Sequence, residues 1–156
     1  MSEYHELYQQ VIIDHGRNPR NFREIENPEI KKIGHNPLCG DKLILFLKLE
    51  NNCIKDISFK GEGCAISMAS ASLMTESLKN KKIEEGLDLF EQVHEMLLGK
   101  NSENLELEQL EKLEKLGKLK VLAGVSAYPA RVKCASLAWQ CLKAGLEGQD
   151  QEIRTE

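Results

Sequence analysis

The chain has 156 residues, enough for one domain with its own core, and its 41% hydrophobic and 29% charged residues are typical of a soluble globular protein. A formal net charge of −4 and 5% aromatic residues argue against nucleic acid as a partner, because phosphate neutralisation needs clustered Lys and Arg. No apolar run reaches transmembrane length and no export signal opens the chain, so we expect a cytoplasmic protein that does not bind membranes.

The chain opens with a predicted amphipathic helix over residues 3–15. Its apolar residues recur at helical spacing and form one stripe, which comprises Tyr4, Leu7, Tyr8, Val11 and Ile12. Gly16 follows as a natural C-cap. We expect the stripe to pack on the body of the domain, with His5 and His15 as surface or capping groups.

An extended, ordered loop is predicted for residues 27–38, because Pro28 and Pro37 restrict the backbone there. Within it, only residues 31–33 suggest a short strand. Two strand-like runs follow at residues 42–50 and 53–60, separated by Asn51-Asn52, a pair that tolerates the positive φ angles of a tight turn. The sequence therefore predicts an antiparallel hairpin, which the short strand would widen into a small sheet.

Three further helices are predicted downstream. The first begins at Cys64 and runs to about Leu78, with small residues at positions 69–72 that let another backbone approach closely. The second covers residues 83–98, and its apolar stripe comprises Ile83, Leu87, Phe90, His94 and Leu97. The third begins at Pro129, runs to about Ala144 and is closed by Gly145 and Gly148.

The polar stretch between Gly99 and Gly117 is predicted to form a short, partly solvated helix on a projecting connection. No linker divides the chain. We therefore expect a single domain over residues 1–148, followed by a frayed tail over residues 149–156.

The five cysteines are an odd number in a chain with no export signal, which argues against a disulfide framework. Three of them stand in a loop or near a helix start, and with a neighbouring aspartate they form the set Cys39, Asp41, Cys64 and Cys134. Thiolates bind a soft or borderline cation tightly, whereas a carboxylate is a harder, more exchangeable ligand. These four residues therefore predict a metal site whose ligands can change.

The charges around this set support the same interpretation. The positive end of a helix dipole should lower the pKa of Cys64, and more weakly that of Cys134. Three thiolates and one carboxylate (−4) with Zn²⁺ (+2) leave a net charge of −2, for which Arg131, Lys133 and Lys42 are candidate counter-charges. The alternative for these basic residues is an ordinary solvated surface.

The remaining cysteines and histidines have simpler interpretations. Cys53 and Cys141 lie among apolar residues and are expected to be small buried hydrophobes. We interpret His94 as a hydrogen-bonded core residue, and His35, close to Cys39, as a reserve ligand. A purely structural zinc site that clamps the hairpin to two helices stays open as an alternative.

Five segments carry recognisable motifs in a fixed order: Tyr8–His15, Asn18–Asn21, Asn36–Asp41, Gly61–Ser67 and Tyr128–Ala135. In this combination they resemble the iron–sulfur scaffold superfamily of IscU and the NifU N-terminal domain, and most closely its SufU branch. The likeness covers nearly the whole chain. Two features favour the SufU branch: Lys133 stands where IscU-like chains carry a histidine, and the segment over residues 99–117 has no counterpart in them.

The resemblance implies an α+β fold, in which helices cover one side of a small antiparallel sheet and a metal lies at an exposed edge. It implies that the four residues Cys39, Asp41, Cys64 and Cys134 bind zinc. Lys133 would then lie next to the ligands without binding the metal, and Arg131 would orient or neutralise the anionic site.

The SufU branch also implies an activity, that of a zinc-dependent sulfurtransferase. A pyridoxal-phosphate cysteine desulfurase of the SufS type forms a persulfide, its own histidine takes a place on the zinc, and the released Cys39 accepts the terminal sulfur for the downstream iron–sulfur assembly machinery. Two alternatives stay open. One is a scaffold for building a 2Fe-2S cluster, and the other is a structural zinc module that only docks a partner.

Overall fold

Helices and a four-stranded sheet make up the computed structural model, which describes residues 2–99, 116–149 and 152–155, with side chains from residue 9 onward. The elements in chain order are α1 (Ser2–Arg17), β1 (Ile30–Asn36), β2 (Asp41–Glu50), β3 (Cys53–Glu62), α2 (Ala65–Leu78), α3 (Ile83–Leu97), a 3₁₀ segment (Gly117–Ala127), α4 (Pro129–Leu146) and β4 (Ile153–Arg154). The helix predicted for residues 99–117 lies outside the described residues except at its two ends. The 3₁₀ segment was not predicted.

The predicted hairpin is confirmed. Strands β2 and β3 pair antiparallel, and Asn51 (φ 52°) and Asn52 (φ 65°) both adopt the left-handed conformation between them. Two consecutive positive φ angles define the turn whose twist matches that of the flanking strands. The hairpin forms one half of the sheet, whose strand order is β3-β2-β1-β4.

Strand β1 is longer than the sequence predicts. Residues 27–38 were expected to be a loop with a strand only near 31–33, whereas every residue from Ile30 to Asn36 pairs antiparallel with β2. Pro28 and Pro37 fall outside the paired residues, so they bound the strand and remove no hydrogen bond from it.

The tail also differs from the prediction of a frayed end. Ile153 and Arg154 pair in parallel with Gly34 and His35 of β1, and the Thr155 N–H donates to the carbonyl of His35. The sheet is therefore mixed, with a two-residue parallel strand at one edge.

Helices α2 and α4 cover one face of the sheet and enclose the core with it. Leu43, Leu45 and Leu47 alternate along β2 and are fully buried against these helices. The small residues predicted at 69–72 are all buried, and Ser70 links the two helices because its hydroxyl donates to the Ala135 carbonyl and accepts from Trp139. The α+β architecture expected from the resemblance is confirmed.

The apolar stripe of α3 is rotated relative to the predicted one. The buried residues are Gly86, Phe90, Val93, Met96 and Leu97. His94 is half-buried at the edge of this stripe and stacks on Phe90, with ring centroids 5.5 Å apart. Its side chain makes no hydrogen bond with another described residue, so the expected hydrogen-bonded core role is wrong.

His15 is a second correction. It was expected at the surface or in a cap, but its side chain is only 2% exposed and its Nδ1 lies 2.7 Å from the Ser72 hydroxyl of α2. Residue 15 continues the 8-11-12 spacing of the α1 stripe, which is why it turns toward α2. The described helices include none long and apolar enough to cross a membrane.

Candidate metal centre

A tight turn between β1 and β2 presents the first two candidate ligands. The Cys39 N–H donates to the Asn36 carbonyl at 3.2 Å. Gly40 adopts a φ of 71°, which glycine allows at no steric cost because it has no Cβ. Asp41 begins β2 directly opposite Asn36 in the ladder. Cys39 is half-buried and Asp41 is buried, so the turn places one ligand at the surface and one beneath it.

Cys64 is the N-cap of α2, as predicted. Its Sγ accepts a hydrogen bond from the Ser67 N–H at 3.4 Å, and its own N–H donates to Oδ1 of Asp41 at 2.9 Å. Gly63 makes this approach possible, because a Cβ at that position would collide with the Asp41 carboxyl group. The start of α2 and the start of β2 are thereby held together.

Cys134 reaches the same place from α4. This helix lies close to β1 because Gly34 has no side chain, and a Cβ there would collide with Leu137 and Cys141. Cys134 lies about one turn earlier on the same face, over Asn36, whose Nδ2 is 3.3 Å from its Sγ. The Cys134 side chain is fully buried.

Three of the four predicted ligands form one close group. The Sγ atoms of Cys39 and Cys134 and a carboxylate oxygen of Asp41 all lie within 4.8 Å of one another. Cys64 lies outside this closest group, but its thiol is near enough to interact with that of Cys134. The structure therefore brings the four residues to one edge of the sheet.

Burial raises the pKa of the Cys134 thiol, and the neighbouring ligands raise it further. Burial is the main cause, followed by interactions with Cys39, Asp41 and Cys64. The Sγ of Cys134 also lies 3.8 Å from the Ala130 carbonyl, to which a thiol can donate. The expected lowering of this pKa by the helix dipole is wrong, because desolvation of a fully enclosed sulfur outweighs a partial helix charge.

Arg131 lies beside the ligand group. Its Nη1 lies 4.0 Å from Cys39 Sγ, and its pKa is raised by Cys134, then by Cys64 and Cys39. Lys42 is exposed and follows Asp41 along β2, so its side chain points to the opposite face. Lys133 accepts hydrogen bonds at its carbonyl from Ser136 and Thr155, and within the described ranges its ammonium group has no ion pair.

The other candidate residues stay outside the group. The Nε2 of His35 lies 3.3 Å from a carboxylate oxygen of Glu152, and His35 is not among the clustered ligands. Cys141 is buried, which raises its pKa to about 12 and fits the predicted role as a small hydrophobe. Cys53 is half-buried at the start of β3, next to the hairpin turn and far along the strand from Cys64.

One residue of the site was overlooked in the sequence. Asn36 is fully buried and donates to both Asp41 and Cys134. Its position before Pro37 indicated only a strand end or a turn. The register of β1 against β2 would have identified it. Asn36 is paired with Asp41, so its side chain lies next to Asp41 on the same face of the sheet.

Comparisons with known proteins bear on this arrangement. Residues 7–135 match the model of the family described as the NifU-like N terminal domain. The chain is 42% identical over 145 residues to the zinc-dependent sulfurtransferase SufU of Bacillus subtilis strain 168, covering 92% of each chain. It is 36% identical to the iron–sulfur cluster assembly scaffold protein IscU of Streptococcus pyogenes serotype M1, covering 94% of this chain and 87% of that one.

A solved structure gives the same relationship. The fold is similar to that of FiSufU from Fervidobacterium islandicum AW-1, with a TM-score of 0.79 and 32% sequence identity. The match covers 91% of this chain and 98% of that one. Both sequence and fold are therefore shared over nearly the full length.

Proposed function

Because the chain belongs to the NifU-like N-terminal domain family, we propose that it is a zinc-dependent sulfurtransferase of iron–sulfur cluster assembly. In this proposal Cys39 accepts persulfide sulfur from a cysteine desulfurase of the SufS type and passes it to the downstream assembly machinery. The similarity to a zinc-dependent sulfurtransferase at 42% identity supports the activity. The observation that carries it is the half-exposed Cys39 thiol at the rim of a buried ligand group.

The donor set fits zinc. We assign Cys39, Asp41, Cys64 and Cys134 as its ligands, since three sulfurs and one carboxylate match the number and type of ligands that Zn²⁺ takes. The raised pKa of Cys134 fits too, because a buried thiol ionises only where a cation compensates the charge. When bound, Zn²⁺ would keep the sulfurs as thiolates at neutral pH.

Cys39 is the ligand best placed to react. Cys134 and Asp41 are 0% and 2% exposed, and Cys64, although half-buried, is held at the start of α2 by the Ser67 N–H, whereas the half-buried Cys39 lies in the turn. Its thiolate attacks the terminal sulfur of the desulfurase persulfide. A sulfur–sulfur bond forms to Cys39, the sulfur–sulfur bond of the donor breaks, and the donor cysteine leaves as a thiolate, so no oxidant or reductant is needed.

Arg131 contributes charge at the same place. Its guanidinium is exposed, lies 4.0 Å from Cys39 Sγ and makes no ion pair with a carboxylate in the described ranges. A fixed positive charge favours thiolate over thiol and favours an anionic persulfide product on Cys39. We therefore assign Arg131 to charge compensation for the transferred sulfur.

An apolar groove next to Arg131 is a suitable docking surface for the desulfurase. The groove has a volume of about 550 Å³ and its walls include Ile12, Ile13, Ile66, Val125, Tyr128 and Arg131. Ile13 and Tyr128 are 47% and 61% exposed. Because Arg131 borders both the groove and Cys39, a protein seated in the groove lies beside the acceptor sulfur.

Free thiols and such partners fit a reducing compartment such as the cytoplasm.

Sulfur loading tests the proposal. The zinc-loaded protein is incubated with a SufS-type desulfurase and radiolabelled cysteine, and label on the chain is measured on non-reducing gels and by mass spectrometry. Wild type should gain label that thiol reductant removes, and Cys39→Ser should not. Cys53→Ser is the matched control, because it removes a half-exposed thiol outside the ligand group and should load normally. Loading of Cys39→Ser at the wild-type level would disprove Cys39 as acceptor.

A scaffold for 2Fe-2S cluster assembly is the second candidate, supported by the 36% identity to a protein named as such a scaffold. The same cysteines would then ligate cluster iron. Anaerobic reconstitution with iron and sulfide distinguishes the two. A stable, transferable visible chromophore, with no sulfur on Cys39, would favour the scaffold. A protein that loads no sulfur, forms no cluster and only binds the desulfurase would be a structural zinc module.

A further inference from the structure

Asn36 contacts three of the four candidate ligands. Its Nδ2 donates to Oδ2 of Asp41 at 3.1 Å and to Sγ of Cys134 at 3.3 Å, and its carbonyl accepts the Cys39 N–H at 3.2 Å. Both side-chain neighbours are hydrogen-bond acceptors, so the amide is oriented with its NH₂ group toward them. A single buried amide thus joins the sheet to α4 directly beneath the ligand group.

The contacts are unequal among the ligands. Asp41 has both carboxylate oxygens fixed, Oδ1 by the Cys64 N–H and Oδ2 by Asn36. Cys134 is fixed by Asn36 as well. The side chain of Cys39 receives no hydrogen bond from Asn36, and among the described residues outside the ligand set its polar neighbour is the exposed Arg131. The protein interior therefore holds the side chains of Asp41 and Cys134, whereas the side chain of Cys39 lies beside the exposed Arg131.

The amide is retained at a cost in stability. Within the described residues, the Asn36 Oδ1 is buried and has no hydrogen-bond partner. A buried polar atom without a partner is unfavourable by about 1–3 kcal/mol, so packing alone gives no reason for an amide here. The two donated hydrogen bonds to anionic ligands do give one, because hydrogen bonds to charged acceptors are the strong ones.

We propose that Asn36 is a positioning residue that keeps Asp41 and Cys134 in place for the metal while Cys39 leaves to accept sulfur. This inference rests on the proposed ligand set. Residues that hydrogen-bond metal ligands orient them, and their loss commonly lowers metal affinity about 10- to 100-fold. The effect should not depend on Cys39 being present.

Zinc competition with a chromophoric chelator tests this in four proteins: wild type, Asn36→Leu, Cys39→Ser and the double variant. Leucine matches asparagine in branching and approximate size but donates no hydrogen bond. We expect Asn36→Leu to weaken zinc binding about 10- to 100-fold, and by at least as large a factor in the Cys39→Ser background. Unchanged affinity in both backgrounds, or a loss only when Cys39 is present, would overturn the proposal.

Two further measurements separate positioning from a merely structural role. With Co²⁺ in place of zinc, the visible absorption of Asn36→Leu should shift, because the ligand geometry changes. Ser58→Ala removes a hydroxyl that, like the Asn36 Oδ1, is buried and has no partner among the described residues, and it should leave the absorption unchanged. If Asn36→Leu does not fold, Asn36→Ser decides: a smaller loss of affinity is expected, and none would overturn the idea. These assays contain no desulfurase, so a failed sulfur transfer leaves their result intact.

Discussion

Of the three histidines whose side chains the structure describes, only His15 has a buried side chain. Its Nδ1 lies 2.7 Å from Ser72, and the Arg20 N–H also donates to that hydroxyl at 2.8 Å. Its Nε2 lies 4.0 Å from Glu76 of α2. His15 therefore fastens the end of α1 and the following loop to the middle of α2 through one small polar network.

This network predicts a loss of stability in acid. Burial is the largest effect on the pKa of His15 and lowers it below its ordinary value of 6.5. Arg20 and Lys118 lower it too, against Glu76 and Asp14, which raise it. Since the unfolded chain then binds a proton that the folded chain excludes, this contribution to stability is complete above pH 6.5 and is lost as the pH falls toward the lowered pKa.

Denaturant unfolding of wild type and His15→Gln measures the effect. Glutamine keeps an amide that can reach Ser72 and has no titrating group, and the difference between the two proteins cancels the titration of shared groups. Measured from about pH 8 to about pH 5, the advantage of wild type should be constant above the ordinary histidine pKa of 6.5 and should fall below it. A free-energy difference that stays constant over this range would contradict the prediction.

Single residues also show what the sequence leaves hidden. The sequence indicated that one metal site is shared by four residues: Cys39, Asp41, Cys64 and Cys134. Thiols in turns and near helix starts are accessible and can bind the same metal ion. Asn36 was not identified, since an amide gains its role only through the register that sets it opposite Asp41. The raised pKa of Cys134 was missed for the same reason, because burial depends on packing between elements.

At the scale of elements, local chemistry determined how much was predictable. The hairpin follows from Asn51 and Asn52, whose left-handed conformations are a property of the turn residues themselves. Strand β1 could not be predicted in the same way, because residues 30–36 have only a weak strand pattern in the sequence. They form a strand because they pair with β2. The two-residue β4 depends entirely on the exposed edge of β1, and nothing in its own sequence predicts it.

Helix α1 and the 3₁₀ segment both contribute to the apolar groove proposed as the docking surface, and a charge introduced there tests that proposal. Ile13 is 47% exposed on α1, so Ile13→Glu should change neither the zinc content nor the unfolding temperature. It should raise KM for this protein as sulfur acceptor about tenfold, since about 1.4 kcal/mol of lost contact corresponds to that factor. The turnover number at saturation should stay unchanged, because the substitution leaves Cys39 intact.

Lys55→Gln is the control for Ile13→Glu. Both substitutions lower the net charge by one unit, but Lys55 is exposed near the hairpin end of β3, whereas the ligand group lies beyond the other end at Glu62. Lys55→Gln should leave KM at the wild-type value. An equal rise in KM for both variants would indicate a general charge effect, and no rise for Ile13→Glu would remove the groove from the docking surface.

At the scale of the whole molecule, the ligand group connects three separate parts of the chain. Cys39 lies in the turn between β1 and β2 and Asp41 begins β2, Cys64 caps α2, and Cys134 lies in α4. Without a cation, the buried Cys134 stays a protonated thiol among other acidic groups, as its raised pKa indicates. A metal bound there therefore joins the sheet to the two helices that cover it.

Zinc removal should lower the stability of the entire fold for this reason. A ligand that binds only the folded chain adds about 4 kcal/mol when its free concentration is 1,000 times its dissociation constant. For a domain of this size, that corresponds to a rise of about 10 °C in unfolding temperature, measured by calorimetry with zinc and after chelation. Cys53→Ser should keep the full difference and Cys134→Ser should lose most of it, since the metal stabilises the fold only through ligands that span its elements. An equal temperature shift in both variants would place the zinc elsewhere.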